Sequence, residues 1–312
     1  MWGVRDKHTI ATYGKNIAAV HQVLPQLLET FQHFCISATF ATVGLLFFGS
    51  KEELLNNLPI AKPKYIDNNL SPYNGYFETI GNDDETDRYH YAPKLIEMIQ
   101  KYPQHEIGTH TFSHYYCLEE GQTIQEFEDD LKAAIAVAKA RNITLSALVF
   151  PRNQFNNEYL QICKELGIIC YRGNQRSWLY KARNGEKESL FRRALRLADA
   201  YINISGNHSY QDSDLKNSDP IDIPATRFLR PYSRKLRAFE WLRLHRIRSE
   251  MTHAAKRNMT YHLWWHPHNF GANQQANFAF LEKILAHYQM LHQKYNFQSY
   301  TMTQLAKMVR NG

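Results

Sequence analysis

The sequence of 312 residues has few cysteines and no long apolar segment. The four cysteines, Cys35, Cys117, Cys163 and Cys170, include no Cys-x-x-Cys pair, which excludes a zinc knuckle and predicts packed or free thiols in a reducing compartment. No apolar run approaches the ~20 residues that cross a bilayer. The first 20 residues lack the apolar core of a signal peptide. We therefore predict a cytoplasmic protein without a transmembrane segment.

The composition is that of a folded, basic protein. Hydrophobic residues make up 44% of the chain and charged residues 21%, so disorder is not expected. The net charge is +7, and the excess is concentrated at residues 192–196 and 227–248. No nucleic-acid-binding motif accompanies it. The basic segments are either a solvated helix face or a surface for an anionic glycan, a phosphate-bearing lipid carrier or a membrane, so a membrane-peripheral location stays open.

Strand-like and helix-like apolar patterns alternate along the chain. They predict strands at residues 36–43, 106–109, 146–150, 168–171 and 261–266, and helices at residues 17–34, 93–102, 124–141, 156–166, 188–200, 233–256, 278–295 and 302–309. This order predicts an α/β fold with a parallel, barrel-like sheet. We predict a long ordered loop at residues 59–87, an irregular insertion at residues 173–232, and a single domain over residues 1–312.

Two histidines four residues apart give the strongest chemical signal. Residues 106–114 read EIGTHTFSH, so an apolar run and Gly108 precede His110 and His114. In a helical turn these two positions share a face, where two imidazoles could bind one metal ion. The alternative is one solvated and one packed histidine. A glycine after a strand favours a sharp turn into a site.

Two more polar residues follow predicted strands. Arg152 comes directly after the third strand and His266 ends the last one. Functional side chains lie at the carboxyl ends of strands in α/β barrels. Alternation along the last strand puts His262, Trp264 and His266 on one face. We interpret His262 as a core residue and His266 as a catalytic one, with His268 close by.

Four segments, in this order, resemble the polysaccharide deacetylases, the NodB homology domain of carbohydrate esterase family 4. Residues 110–114 (HTFSH) fit the family motif H-[ST]-x-x-H, and residues 36–44 (ISATFATVG) resemble its second strand. Residues 150–154 (FPRNQ) resemble its arginine motif, and residues 262–268 (HLWWHPH) its late strand with the catalytic histidine. The resemblance implies a distorted (β/α) barrel of the NodB type.

The resemblance also implies an activity, namely hydrolysis of an acetamide C–N bond during N-deacetylation of an acetamido sugar in a surface polysaccharide or its precursor. It implies that His110 and His114 bind a divalent metal, zinc or cobalt, which activates a water molecule and polarises the carbonyl group. Arg152 would orient an aspartate that takes the proton of the water, and His266 would protonate the departing amine. Two alternatives stay open, a hydrolase of a small cyclic amide resembling allantoinase and a non-catalytic glycan-binding protein.

One family motif has no counterpart. Relatives carry an acidic strand, commonly Thr-Phe-Asp-Asp, just before a Trp-Gly pair such as Trp2-Gly3, and this sequence resembles a chain cut after that strand. Asp6 lies beyond the pair and is not assigned as the missing ligand. We expect the 312-residue chain to bind metal poorly and to deacetylate slowly or not at all. We expect a chain extended upstream with such a strand to recover both.

Aromatic and basic residues predict contacts with a carbohydrate. Trp178, Tyr232 and Trp264 could stack on pyranose faces, although aromatic residues more often pack in a core. Arg230 lies in a polar loop that could contact an anionic group. The predicted partner is a carbohydrate, either neutral or anionic and either free or lipid-linked. Relatives pair the catalytic histidine with a carboxylate before a tryptophan, and the segment before Trp178 contains none.

Overall fold

A computed structural model describes residues 1–180 and 189–311. Within them, seven short strands lie in two parallel sheets. The larger sheet contains, in spatial order, β1 (Thr39–Thr42), β2 (Glu106–Thr109), β3 (Ala147–Leu148), β4 (Cys170–Tyr171) and β5 (Ile221–Asp222). The smaller sheet pairs β6 (Arg227–Phe228) with β7 (Leu263–Trp264). The predicted α/β fold with a parallel sheet is confirmed, and parallel pairing brings the carboxyl ends of neighbouring strands to one edge.

The helices lie between and after these strands. They are α1 (Ile10–Ala18), α2 (Val20–His33), α3 (Lys51–Leu55), α4 (Pro93–Gln100), α5 (Ile124–Lys139), α6 (Asn157–Glu165), α7 (Leu190–Asp199), α8 (Asp212–Leu215), α9 (Glu240–Lys256), α10 (Gln274–Tyr295) and α11 (Met302–Asn311). The helix predicted from residue 17 is in fact two helices, because Thr9 caps a separate first helix by accepting a hydrogen bond from Thr12 N. The predicted start at residue 188 lies outside the described residues.

Five of the strands match predicted segments, and β5 and β6 do not. Each of these two strands has only two residues and carries a charged side chain, Asp222 or Arg227. Strands β3, β4 and β7 are equally short but lie within longer apolar segments, whereas a charged side chain interrupts the apolar pattern in β5 and β6. The predicted irregular insertion therefore contributes strands to both sheets.

Strands β1 and β7 are outer strands, and no strand pairing joins them in the described part of the chain. Side chains of both strands instead pack against one apolar cluster. Phe31 of α2 and Leu281 of α10 are buried in it, and Phe40, Leu263 and Trp265 pack against it. The side chains that β7 turns outward therefore face helices, as the predicted alternation requires.

The loop predicted at residues 59–87 is packed against the rest of the chain. It contains 3-10 turns at Asn68–Leu70 and Tyr76–Glu78. Phe77 is buried, and the Tyr76 hydroxyl lies 2.9 Å from His90 Nε2. Asp87 Oδ2 lies 2.7 Å from His90 Nδ1, so the end of the loop is tied to the segment before α4.

The basic segment at residues 227–248 is partly internal. Arg227 is 3% exposed and forms two hydrogen bonds of 2.7 Å with the carboxylate of Glu250. Arg246 is also buried and lies 2.9 Å from the same carboxylate. The ion pairs of Arg227 and Arg246 with Glu250 connect β6 to α9. These two arginines therefore belong neither to a solvated helix face nor to a binding surface.

The prediction of packed or free thiols agrees with the structure, in which Cys35 is an exposed free thiol and Cys117, Cys163 and Cys170 are buried free thiols. Among the residues that the structure describes, every helix is too short or too polar to cross a bilayer.

Candidate active site

His110 and His114 lie side by side at the carboxyl end of β2, with ring centroids 4.7 Å apart. The helical turn expected for this segment is wrong, because the residues form an irregular loop. Thr111 and His114 have left-handed backbone conformations, with φ of 62° and 63°. Such values are uncommon outside glycine and are strained for a β-branched residue. This backbone, rather than helical spacing, brings the two rings together.

Asp130 of α5 holds the histidine loop in this conformation. Its side chain is fully buried, and Oδ1 accepts a hydrogen bond of 2.7 Å from Phe112 N. Oδ2 accepts a hydrogen bond of 3.1 Å from Ser113 N and also bonds to the Ser113 hydroxyl. Burial raises the pKa of Asp130 to about 7, against the opposing effect of these hydrogen bonds.

Gly108 does not form the predicted sharp turn. It lies inside β2, where an added Cβ atom would come within 2.9 Å of the Ala147 carbonyl oxygen and 3.1 Å of Thr39 Cγ2. Its function is close packing between strands.

The two histidines have the properties of neutral imidazole ligands. His110 Nδ1 lies 2.5 Å from the carbonyl oxygen of Val149, a contact that fixes the ring and leaves Nε2 available. His114 Nδ1 is buried without a hydrogen-bond partner, and a Cβ atom at Gly3 would lie 3.0 Å from Nε2. Burial lowers the pKa of His110 to about 3 and that of His114 well below 6.5.

These residues fit the imidazole part of a metal site and leave it incomplete. Neutral, desolvated imidazoles are the form that binds zinc or cobalt. Within residues 1–180 and 189–311, no third His, Cys, Asp or Glu side chain joins them as a potential ligand. A complete site would need a further ligand.

Arg152 follows β3 and interacts with two carboxylates. It forms an ion pair with Asp6 and a second one, at 2.8 Å, with Glu119. Its guanidinium lies 4.1 Å from the ring centroid of Tyr116, whose ring in turn contacts His114 at 5.1 Å. Arg152 therefore sits one aromatic ring away from the histidine pair.

His266 follows β7, and Asn269 lies beside it in the same turn. Asn269 Oδ1 is 3.3 Å from His266 Nδ1, where relatives were expected to supply a carboxylate. The ring stacks on His268 at 5.0 Å and meets Trp264 edge-on at 5.6 Å. Although His266 is an exposed residue, the neighbouring rings partly desolvate its imidazole and lower its pKa, with a smaller contribution from the charge of Arg172.

A chain of side-chain contacts links the four predicted site residues. His110 and His114 are in ring contact, and the ring of Tyr116 lies between His114 and Arg152. Asn153, next to Arg152, accepts a hydrogen bond from Arg172, whose guanidinium lies over the ring of Trp264, and Trp264 contacts His266. These groups therefore lie in one region, at the carboxyl ends of three different strands. The same arrangement is typical of functional sites in α/β proteins.

The residues predicted to bind substrate do not all lie there. Arg230 and Tyr232 line a separately delimited cavity of about 470 Å3, together with Tyr201, Arg234 and Lys235 among others. Trp178 is 67% exposed. Trp264 is the one predicted substrate residue that contacts His266.

Sequence reasoning missed Asp130, Arg172 and Asn269. Asp130 could have been found as a single acid in the apolar stripe of Phe127 and Leu131. Arg172 follows β4, so its position at a strand end is the same signal that pointed to Arg152.

Solved structures with related folds have low sequence identity. A candidate polysaccharide deacetylase from Mycobacterium smegmatis is 15% identical, with a TM-score of 0.56 over 96% of this chain and 79% of that one. A CE4 family pseudoenzyme from Bacillus anthracis is 12% identical, with a TM-score of 0.40, and the match covers 91% of this chain and 60% of that protein. The first of these likenesses supports the fold.

Sequence comparisons identify the family. A comparison with curated proteins gave no significant match. A sequence profile described as polysaccharide deacetylase matches residues 5–171, more than half of the chain. This chain belongs to the polysaccharide deacetylase family.

Proposed function

We propose that this protein is a metal-dependent N-deacetylase that hydrolyses the acetamide C–N bond of an acetamido sugar in a surface polysaccharide or its precursor. One observation supports this more than any other. His110, His114, Arg152 and His266 are linked through side-chain contacts at strand ends although up to 156 residues separate them in the chain. A histidine pair, an acid–base histidine and a cation are the groups that amide hydrolysis requires.

His110 and His114 would hold a divalent ion, zinc or cobalt, through imidazoles that burial keeps neutral. When bound, such an ion lowers the pKa of a water molecule and polarises a carbonyl group. The contact of His110 Nδ1 with the Val149 carbonyl oxygen fixes which nitrogen of that ring is available.

Arg152 would position a carboxylate through charge-assisted hydrogen bonds. In this structure its two carboxylate partners are Asp6 and Glu119. A carboxylate oriented in this way can accept the proton of the attacking water. The family resemblance assigns that role to an acidic strand that the described residues do not contain.

His266 would transfer a proton to the departing amine. If Nδ1 carries a hydrogen, it donates to Asn269 Oδ1 and leaves the Nε2 lone pair facing outward. Because the ring is neutral near pH 7, Nε2 would first take up a proton from solvent and then pass it to the amine nitrogen as the C–N bond breaks. Trp264 and His268 contact the ring and restrict its orientation.

A second function is a non-catalytic protein that binds acetamido glycans. It is favoured by the finding that, within residues 1–180 and 189–311, the two histidines lack a third ligating side chain. Both functions use the same group of residues and differ in whether acetate is released.

The test is release of acetate from N-acetylated oligosaccharides by the purified protein with added zinc or cobalt. The proposal expects acetate release by a chain that carries an acidic strand before Trp2, and slow release or none by the 312-residue chain. In the extended chain His266→Ala abolishes release, while His245→Ala, at an exposed position of α9, leaves it unchanged. Glycan binding without acetate release would support the second function. If the protein neither binds the glycan nor releases acetate, both functions are refuted.

A further inference from the structure

Arg172 is a buried arginine in the candidate active site that the proposed mechanism does not use. It directly follows β4, and its backbone N–H donates to the Leu148 carbonyl oxygen at 3.0 Å, which extends the pairing with β3. Its guanidinium reaches across to β7, where it lies 3.9 Å from the ring centroid of Trp264. Its charge contributes to the low pKa values of His110 and His266. Arg172 therefore lies among the groups assigned to catalysis.

The positive charge of Arg172 has no carboxylate partner among the described residues. Arg172 is only 8% exposed, and its Nη2 donates a hydrogen bond of 2.7 Å to Asn153 Oδ1. Nε is buried without a partner, and Nη1 forms no hydrogen bond with the part of the chain that the structure describes. Burial without an anion lowers its pKa to about 9.

Three other buried arginines of this protein are paired with carboxylates. Arg227 and Arg246 share the carboxylate of Glu250, and Arg243 pairs with Glu240. A buried charge without a counterion is costly, and such groups occur mainly where a ligand supplies the opposite charge. The contrast points to a negative charge that arrives from outside the chain.

A second hydrogen-bond donor beside Arg172 also lacks a partner among the described residues. Trp264 Nε1, which can only donate, is also buried without a partner. Asn153, which orients the guanidinium, has a left-handed backbone with φ of 54°. A strained residue that fixes an arginine in place is typical of a binding site built in advance.

We infer that Arg172 binds a negatively charged group of the substrate, so that the acetamido sugar handled by this site is an anionic one. The inference rests on the proposed function for the identity of the sugar. The anion is either a carboxylate on the sugar ring or a phosphate ester at its anomeric oxygen. A guanidinium recognises both through parallel N–H donors.

The experiment compares matched neutral and charged substrates with added zinc. Methyl N-acetylglucosaminide is the neutral reference, its C6 uronic acid is the carboxylate probe, and UDP-N-acetylglucosamine is the phosphate probe. The variants are Arg172→Gln and Arg172→Lys. Arg176→Gln is the control, because Arg176 is exposed and lies 4.0 Å from its own carboxylate partner, Asp222.

We expect the wild type to prefer one charged probe over the neutral one by about 10- to 100-fold in kcat/KM, the range of a hydrogen bond to a charged group. Arg172→Gln should remove this preference, mainly by raising KM for the charged probe, and should change kcat/KM for the neutral substrate less than for the charged one. Arg172→Lys should keep part of it, and the control should keep all of it. The preferred probe identifies the source of the charge.

Two results would overturn the inference. One is a wild type that does not distinguish charged from neutral substrates. The other is an Arg172→Gln variant that slows all substrates equally, since Arg172 would then act only on the histidines or on Trp264. If circular dichroism shows that Arg172→Gln does not fold, Arg172→Lys replaces it in the test, because lysine keeps the charge and loses the paired donors. A reduced preference for the charged probe then supports the inference, and equal slowing of all substrates overturns it.

A binding measurement separates this inference from the proposed function. If no substrate releases acetate, the deacetylase proposal fails, and calorimetry with glucuronate and glucose 1-phosphate tests Arg172 alone. Binding of either probe to the wild type that is at least about tenfold weaker in Arg172→Gln upholds the anion site. Equal or undetectable binding in both proteins refutes it.

Discussion

The carboxylate of Asp130, on α5, accepts hydrogen bonds from both the backbone N–H and the hydroxyl group of Ser113, which lies directly before His114. The same carboxylate also accepts the N–H of Phe112. Three donors of the histidine loop therefore end on one buried side chain. Because Thr111 and His114 are held in left-handed conformations, the loop needs such an anchor to keep the two imidazoles together.

We predict that Asp130→Ala lowers the free energy of unfolding by about 2–5 kcal/mol, because each buried donor left without an acceptor costs about 1–3 kcal/mol. Asp130→Asn should lose less, since it keeps one acceptor oxygen. Urea denaturation measures both. Glu128→Ala is the control, because Glu128 only forms a surface ion pair with Lys132 and should change stability by less than about 1 kcal/mol. An Asp130→Ala protein as stable as the control would contradict the anchoring role.

Five strand positions, and the polar residues that follow them, could be predicted because buried parallel strands are short apolar runs. Strand β2 was predicted with its observed ends, Glu106 and Thr109. Arg152 and His266 were found by the same rule, since each follows such a run. These features depend on local sequence, which is what pattern reasoning measures.

Features that depend on contacts between distant residues could not be predicted. The left-handed conformation of Thr111 is imposed by the structure around it, and no local preference of threonine indicates it. The anchor Asp130 is visible in the sequence as an acid in an apolar stripe, but its partners lie 17 and 18 residues away. A carboxylate was sought as the partner of His266, whereas the partner is the amide of Asn269.

Stability should fall in acid because several histidines are neutral in the folded protein. Burial, and secondarily the charge of Arg172, lowers the pKa of His262 from 6.5 to about 4. The unfolded chain therefore binds more protons than the folded one between these values, so stability is lost as the pH falls from about 6.5 to 4. We predict that His262 contributes a slope of about 1.4 kcal/mol per pH unit in this window.

The measurement is urea denaturation at a series of pH values for the wild type and His262→Gln. The variant should have the smaller slope between pH 6.5 and 4. His33→Gln, at the exposed end of α2, should keep the slope of the wild type. Parallel curves for the wild type and His262→Gln would show that His262 titrates normally.

Arg152 should be irreplaceable by lysine, because it bonds to Asp6 and Glu119 at the same time and stacks on Tyr116. Lysine keeps the charge and loses the planar fork that joins the two carboxylates. Under the proposed function, we predict that Arg152→Lys lowers kcat/KM for acetate release by about 10²–10⁴-fold, the contribution of a positioned general base.

The matched control for Arg152 is Arg141→Lys. Arg141 also reaches two carboxylates, Glu53 at 3.4 Å and Glu97 at 4.0 Å, and those two acids are well exposed. Its replacement should leave kcat/KM within about twofold, as expected for surface ion pairs. If both variants lost activity equally, the effect would be one of stability, and a melting curve would show the same loss in each.

The histidine pair should determine metal binding. We predict that His110→Ala and His114→Ala each weaken zinc binding, measured by calorimetry, by at least about 10- to 100-fold. Removing a residue that only hydrogen-bonds to a metal ligand already costs this much, so removing a ligand itself should cost no less. Asp130→Ala should weaken it as well, because the loop that holds His114 against His110 would lose its anchor. His245→Ala, on the exposed side of α9, should bind zinc like the wild type. Zinc binding that survives both active-site substitutions would place the metal elsewhere, and the roles given to His110 and His114 would then be wrong.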